Sequence, residues 1–241
     1  MKLTTVHTEK EYILFSIEHK NRYSKIFFKD LKIFTWSAAI WFSRVLKRCI
    51  DIVSSVISLI ILSPLLITVA IAIKLESKGP IIFKQIRVGQ NGKHFQFYKF
   101  RSMRTLAESE KAQLLAQNES KDGVIFKMKN DPRITRVGKF IRKYSIDELP
   151  QLINVLEGNM SLVGPRPPLP AEVQQYTLED RKRLHIKPGL TCIWQISGRS
   201  DIPFKQQVNL DKEYIRNHNF FVDIWILIKT VYVVVTGKGA Y

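Results

Sequence analysis

Cysteine and acidic side chains are scarce in this chain, and each scarcity excludes something. Of 241 residues only two are cysteine, Cys49 and Cys192, far apart in sequence. That excludes a disulfide framework, and nothing has the spacing of a zinc-ligand set. The five histidines are scattered and read as structural or surface residues. Internal repeats and low-complexity tracts are absent. The 21 Asp and Glu are outnumbered by 38 Lys and Arg, for a net charge of +17. So basic a balance suits anionic partners: nucleic acid, an anionic membrane face or phosphorylated substrates. Met1-Lys2-Leu3-Thr4-Thr5 is not followed by an apolar core and a small-residue cleavage site, so no cleaved signal peptide is expected.

What is present begins with one long run that carries no charge, residues 52–73. At about 1.5 Å per residue a straight helix of this run reaches roughly 33 Å, enough to cross a bilayer. Two features argue against a simple crossing. Ser63-Pro64 sits at its middle. Pro64 removes the hydrogen bond to the Ile60 carbonyl and forces a bend, and the Ser63 hydroxyl can satisfy a freed carbonyl such as that of Leu59. Both flanks are also basic. Residues 1–48 hold ten Lys/Arg and four Asp/Glu, net +6, and residues 74–241 hold 28 and 16, net +12. Positive flanks stay on the cytoplasmic side. A helix that enters, breaks at Ser63-Pro64 and returns satisfies both facts, so a re-entrant helix over about 49–74 is expected.

Residues 1–46 interleave Phe27, Phe28, Phe34, Trp36, Trp41 and Phe42 with Lys25, Lys29, Lys32 and Arg44. One or two amphipathic helices in a membrane interface fit this pattern, as does an ordinary surface helix. Residues 80–103 read as a β-hairpin with Asn91-Gly92 in its turn. Thr105 to Lys129 is polar, helical in its first part and loop-like beyond. Pro170 to Arg183 reads as one polar helix. Residues 220–235 are strongly apolar but contain Asp223 and Lys229, which suits a helix on the membrane face or against the core rather than a span.

The chemistry concentrates in Ser145-Ile146-Asp147-Glu148-Leu149-Pro150-Gln151 and Val163-Gly164-Pro165-Arg166-Pro167. The first sets two carboxylates side by side; the second holds a guanidinium in a proline-stiffened loop. Pro150 fits only a first helical turn, which predicts a helix starting near Asp147, burying Leu152, Ile153, Val155 and Leu156 and stopping at Gly158. A helix start can hold a phosphate beside Asp147. The alternative is purely structural: Ser145-x-x-Glu148 is also a capping box, and Asp147 can be a plain N-cap.

Further motifs occur in a fixed order. They are Lys47-Arg48, Asp51, Ser63-Pro64, Phe83-x-Gln85-x-Arg87-x-Gly89, Lys99-Phe100-Arg101-Ser102-Met103 and Asp131-Pro132-Arg133-x-Thr135-x-x-Gly138. After them come Arg142-Lys143-x-Ser145-x-Asp147-Glu148-Leu149-Pro150-Gln151, Gly164-Pro165-Arg166-Pro167, Pro188-Gly189-Leu190-Thr191 and Trp194-Gln195-x-Ser197-Gly198-Arg199. This set closely resembles the bacterial sugar transferases, the monotopic polyprenol-phosphate phosphoglycosyl transferases that begin capsule, exopolysaccharide and O-antigen assembly. The resemblance covers residues 47–241 and leaves 1–46 as an N-terminal extension.

The resemblance implies a mainly helical α+β fold: a monotopic membrane protein with a re-entrant helix kinked at Ser63-Pro64, interfacial amphipathic helices and a small β-hairpin. It implies transfer of a sugar-1-phosphate from a UDP-sugar to undecaprenyl phosphate, with release of UMP, at the cytoplasmic face of the bacterial inner membrane. Asp147 matches the family's nucleophile and Glu148 the residue that helps to hold Mg²⁺. Arg142 and Arg166 match family arginines near the dyad, and guanidinium forks suit phosphate oxygens. Arg199 is a candidate nucleotide contact. Lys47 and Arg48 stand where a lipid phosphate would lie, and snorkelling anchorage explains them equally well. Cys192 stands where the family usually has glycine, which raises the question of a special backbone conformation there. Membrane lipids are implied partners and homo-oligomerisation is left open. No nucleic-acid motif appears. A non-catalytic scaffold does not need the intact dyad, and an ordinary glycosyltransferase would release UDP instead of UMP.

Overall fold

The computed structural model describes the backbone of residues 3–105, 107, 110, 114, 118–119, 126, 128 and 130–237, with side chains from Lys29 onward apart from Ser200. Most of the Thr105–Lys129 reading lies outside the described residues. The protein divides into two units, residues 1–49 and 50–241. One helix, α1 (Leu3–Glu76), contributes to both. In the first unit the described apolar side chains, from Leu31 onward, are exposed, with Phe34, Trp36, Trp41 and Phe42 each more than 60% accessible.

Within the second unit α1 carries the charge-free run. Among the described residues it is the one helix long and apolar enough to cross a membrane by length and composition. Asp51, Ser55, Val69 and Ile73 are buried, while Ile57, Ile60, Ile61, Ile67, Ile71 and Leu75 are exposed. Helical assignment continues through Pro64. The Ser63 hydroxyl donates to the Ile60 carbonyl at 2.8 Å, so it serves the acceptor that Pro64 leaves without an amide, not Leu59. Thr68 likewise donates to the Pro64 carbonyl at 2.8 Å.

Strands β1 (Ile82–Val88) and β2 (His94–Phe100) pair antiparallel. Their connection places Asn91 at φ 55° and Gly92 at φ 80°, the left-handed conformations that Asn and Gly accept most readily. The hairpin follows the expected course, and its outer edge is closed by one side chain. Fully buried Asn154 accepts from the Tyr98 amide at 3.0 Å and donates to the Gln96 carbonyl at 2.7 Å. Asn154 lies on α3 (Gln151–Leu156), whose buried residues are Gln151, Leu152, Asn154 and Val155. The predicted helix start was early by about one turn, and Ile153 is 43% exposed, because Asn154 takes an inward position to serve the sheet edge.

Helix α2 (Arg136–Lys143) precedes the dyad. Its N-terminal amides are served twice. Thr135 accepts from Gly138 at 2.9 Å, and Glu76, at the end of α1, accepts from Arg136 at 2.7 Å and Val137 at 3.2 Å. Arg101 in turn donates to the carbonyls of Ser77 at 2.7 Å and Lys78 at 3.0 Å. A cation thus serves the C-terminal end of α1, and an anion serves the N-terminal end of α2.

A parallel pair that sequence reading missed joins β3 (Ser161–Val163) to β4 (Gly189–Thr191). Asp51 of α1 accepts from the Leu162 amide at 3.1 Å. Pro170 to Arg183 is not one helix. It forms α4 (Pro170–Gln174), α5 (Leu178–Arg181) and a 3₁₀ turn. The break allows Tyr176 to be buried and Thr177 to start a new helix through a capping box with Asp180. Helices α6 (Ile193–Ser197), α7 (Phe204–Asn217) and α8 (Phe220–Thr236) complete the fold. Helix α8 buries Ile226 in the core and exposes Phe221, Ile228, Val231 and Val235, as its charge-interrupted apolar pattern suggested. The main core joins Phe97, Leu152, Val155, Met160, Leu162, Tyr214 and Ile226, with Leu59 of α1 packed against it.

Asn154→Ala would leave the part-buried Tyr98 amide and Gln96 carbonyl on β2 without this partner, at about 1–3 kcal/mol each. Its expected effect is a fall in thermal midpoint of about 5–10 °C by scanning fluorimetry; an unchanged midpoint would show that the sheet edge finds another partner.

Candidate active site

The dyad is presented by strained backbone rather than by a helix start. After α2 the chain turns at Ser145, which is left-handed at φ 53°. A 3₁₀ turn over Ile146–Glu148 follows, and Ser145 makes no side-chain cap. The capping-box alternative is therefore set aside. An L-residue held at positive φ is uncommon, and such strain concentrates where a site dictates backbone direction. Arg199 is also left-handed, at φ 51°, and its Nη2 donates to Ser145 Oγ at 3.1 Å. The two strained residues, 54 positions apart, are tied together beside the dyad.

Arg166 reaches the site on a loop fixed by close glycine packing. A Cβ on Gly189 would lie 2.0 Å from the Gly164 nitrogen, so the two backbones touch where side chains have no room. Gly164 donates to the Thr191 carbonyl at 3.0 Å and Gly189 to the Pro165 carbonyl at 2.9 Å. From this base Arg166 Nη2 meets Glu148 Oε1 at 2.9 Å. Arg87, on β1, donates to the Pro167 carbonyl at 3.0 Å and through Nε and Nη2 to Gln85 Oε1. Lys99, on β2, brings Nζ to 3.8 Å from Asp147 Oδ2. Cys192 raises no backbone difficulty: its φ of −151° is extended, and its thiol donates to Gln195 Oε1 at 3.1 Å.

A cavity of about 440 Å³ opens on these groups, lined by nine Lys and Arg and four Asp and Glu. Three of the nine have structural tasks. Arg101 holds the end of α1, Arg133 forms a two-pronged pair with Asp131 at 2.9 and 2.6 Å, and Arg183 pairs with buried Asp211. Near the dyad, Arg87, Lys99, Arg142, Arg166 and Arg199 face Asp147 and Glu148 in the cavity lining. This excess of cations with preset donors suits a diphosphate. Arg142, Arg166 and Arg199 line the same cavity as Asp147 and Glu148. Lys47 and Arg48 belong to the first unit and are not among the lining residues. Sequence reading quoted Arg87 and Lys99 in motifs but gave them no role. The signal was the period of two, because Phe83 pairs with Lys99 and Gln85 with Phe97, so Phe83, Gln85, Arg87 and Lys99 share one sheet face.

Burial sets the proton affinities. Asp147 is 5% exposed, and its desolvation raises the carboxyl pKa from 3.8 to about 6 against the pull of Lys99, with the Glu148 charge adding to the rise. Burial also pushes Glu148 up, but the Arg166 charge and hydrogen bond, with Lys99 and Arg87, outweigh it and hold Glu148 below its ordinary value. Burial, then the neighbouring Arg166 charge, lowers Arg87 to about 10. The two carboxylates therefore differ: Glu148 is the fixed anion, and Asp147 is desolvated and less stabilised as an anion. Among the described residues no three His, Cys, Asp or Glu converge as an all-protein metal cage. Two adjacent carboxylates nevertheless fit the mode in which Mg²⁺ is shared between one or two protein oxygens and substrate phosphates.

A carboxylate pair faced by Arg87, Lys99, Arg142, Arg166 and Arg199 has the charge and the preset donors that a phosphorylated ligand calls for. The bacterial sugar transferase family matches residues 42–237, and the chain belongs to that family. It is 47% identical over 216 residues to the galactosyl transferase CpsE of Streptococcus agalactiae, covering 88% of this chain and 48% of that protein. It is 48% identical over 205 residues to the undecaprenyl-phosphate galactose phosphotransferase of Salmonella typhimurium, covering 83% and 42%. It is 39% identical over 200 residues to the exopolysaccharide production protein ExoY of Sinorhizobium fredii, covering 81% and 88%. The chain thus spans about half the length of the first two relatives and most of the third.

Because folding raises the Asp147 pKa, its stabilising contribution is complete below pH about 4 and is lost as the pH rises through about 6. Above that, the ionised carboxylate costs the fold up to about 3 kcal/mol. Asp147→Asn is therefore expected to melt higher than the parent at pH 7.5, with the gap closing as the pH is lowered toward 4. A variant that melts lower at pH 7.5 would contradict this charge balance.

Proposed function

We propose that this chain transfers a hexose-1-phosphate from a UDP-sugar to undecaprenyl phosphate, releasing UMP, as the first membrane step of exopolysaccharide, capsule or O-antigen synthesis. The observation that carries the reading is the desolvated Asp147 carboxylate, 3.8 Å from Lys99 and beside the Glu148–Arg166 pair. In the first step an Asp147 oxygen attacks the sugar-proximal phosphorus. The phosphorus–oxygen bond to UMP breaks, UMP leaves with that electron pair, and the phosphosugar is joined to Asp147 as an acyl phosphate. In the second step a phosphate oxygen of the lipid attacks the same phosphorus and Asp147 leaves as a carboxylate. No net proton is required in either step. A covalent intermediate lets one cation cluster serve the two substrates in turn.

Desolvation makes Asp147 a better nucleophile than a carboxylate in water, and Lys99 keeps it largely ionised near neutral pH. Glu148 holds Arg166, which is placed to neutralise charge on the transferred phosphate. Mg²⁺, held by Glu148 with diphosphate oxygens, would neutralise further charge there. Arg142 and Arg199 are placed for the remaining phosphate oxygens. UDP-galactose or UDP-glucose is the proposed donor class, consistent with the relatives named as an undecaprenyl-phosphate galactose phosphotransferase and a UDP-glucose:undecaprenyl-phosphate glucose-1-phosphate transferase.

The reading places the chain at the cytoplasmic face of the inner membrane, with α1 entering and leaving on one side. In a Cys49→Ser background, cysteines introduced singly at Ile40 and Lys78 should both label from the cytoplasmic side; labelling from opposite sides would contradict re-entry. For the reaction, purified protein in nanodiscs with Mg²⁺, polyprenyl phosphate and a panel of UDP-sugars is expected to release UMP from one sugar. Release should fall by at least about 10³-fold in Asp147→Asn and stop when Mg²⁺ is chelated. UDP as the product would indicate ordinary glycosyl transfer, and silence from folded protein across the panel would favour a scaffold.

A further inference from the structure

Three non-glycine residues among those described have a positive φ: Asn91, Ser145 and Arg199. Asn91 lies in the hairpin turn, where that conformation is ordinary. The other two are bonded to each other, Arg199 Nη2 donating to Ser145 Oγ at 3.1 Å. Neither serine nor arginine favours a left-handed backbone by itself, and such strain persists only where the surroundings over-determine it. Glycine would take the Ser145 conformation at no steric cost. A serine there is explained if its hydroxyl is used.

Each of the two residues stands at the start of a 3₁₀ turn, over Ile146–Glu148 and Arg199–Asp201. The Ser145 carbonyl accepts from the Glu148 amide at 3.1 Å, and the Ser145 amide donates to the Arg142 carbonyl at 3.1 Å. Asp147 therefore sits in a turn whose base is Ser145. On the other side the Arg199 carbonyl accepts from the Ile202 amide at 3.3 Å, and Ile202 is buried in a cluster with Cys192 and Trp194. Arg199 thus has a base fixed by core packing, and its side chain reaches the turn that carries the dyad. A charged donor makes that tie stronger than one between neutral groups. The same charge acts on both carboxylates, on Glu148 more than on Asp147.

We propose that Ser145 is a positioning residue for the transfer reaction: its hydroxyl, held by Arg199, fixes the turn that aims the Asp147 carboxylate at the phosphorus. This role rests on the reaction proposed above, in which Asp147 is the nucleophile, and supplies what sets its direction. It also gives Arg199 a second task. A guanidinium has several N–H donors, so one can hold Ser145 while others serve a phosphate.

Two measurements on full-length protein in nanodiscs test this. The first is UMP release without acceptor at saturating UDP-sugar. Ser145→Ala and Ser145→Gly should both slow it by about 10–100-fold, the scale of a misplacement near 1 Å. The half-saturating UDP-sugar concentration should stay within about threefold of the parent's, because ground-state binding is retained. Ser145→Asn accepts the left-handed backbone and offers Arg199 an oxygen, so its rate should stay within about fivefold of the parent's. In an Arg199→Ala background, Ser145→Ala should cost less than about twofold more, since the two act through one contact. A parent-like rate in Ser145→Gly would overturn the proposal, because the backbone conformation alone would then suffice. Additive losses, or a higher half-saturating concentration at unchanged rate, would overturn it too.

The second measurement, hydrogen exchange, needs no turnover. Arg199→Ala should speed exchange of the Glu148 and Leu149 amides, and Ser145→Ala that of the Asp201 and Ile202 amides, all of which are bonded within the two turns. Unchanged exchange along β1 and β2 certifies that the variants fold. Exchange that rises only beside the substituted residue would overturn the tie. If the two turns loosen together but the parent protein never releases UMP, the tie stands and the reaction reading fails.

Discussion

The rest of the site depends on one constraint: a carboxylate that has been taken out of water needs compensating charge close by. Asp147 is 5% exposed, and the Lys99 ammonium lies 3.8 Å from it, a distance that attracts without forming a tight hydrogen bond. Glu148, one residue on, has the tight pair with Arg166 at 2.9 Å. The asymmetry separates two chemically similar groups, one stabilised as an anion and the other left reactive. Much of the unit's architecture serves that arrangement. The hairpin supplies Lys99 and Arg87, and Asn154 fixes its edge. The Gly164–Gly189 contact fixes the loop that carries Arg166. The strained backbones of Ser145 and Arg199 turn their segments toward the same point.

The membrane-like helix belongs to the same design. Asp51 accepts from the Leu162 amide of β3, Glu76 serves the N-terminal end of the helix leading to the dyad, and Arg101 serves the carbonyls that follow Ile73. The apolar helix is thereby joined by polar contacts near both ends of its charge-free run to the body that holds the chemistry.

Much of this was legible in the sequence because the signals were local. The charge-free run, Ser63-Pro64, Asn91-Gly92 and the adjacent Asp147-Glu148 pair are recognisable without a fold, and the order of the motifs identified the family. What stayed hidden depended on partners distant in sequence. Pro150 suggested a helix beginning at the dyad, but the backbone reverses at Ser145 first, and that reversal is tied to Arg199 across 54 positions. Asn154 carries no sequence signal for its role, because the β2 edge that it closes lies more than 50 positions away. The β3–β4 pair is three residues per strand and parallel, too short for a periodic signal and dependent on glycine-to-glycine contact. Lys99 and Arg87 stood in motifs without a role; the strand register sets them on one sheet face, with Lys99 Nζ 3.8 Å from Asp147.

The central claim is that Asp147 itself bonds to phosphorus. The most direct measurement is mass spectrometry of the protein quenched in acid after incubation with its UDP-sugar and Mg²⁺ but no lipid acceptor. The account predicts a mass gain of one hexose phosphate, mapped to the peptide containing Asp147, discharged by later addition of polyprenyl phosphate and absent from Asp147→Asn. An adduct on another residue, or turnover of both substrates with no adduct at any time, would contradict it.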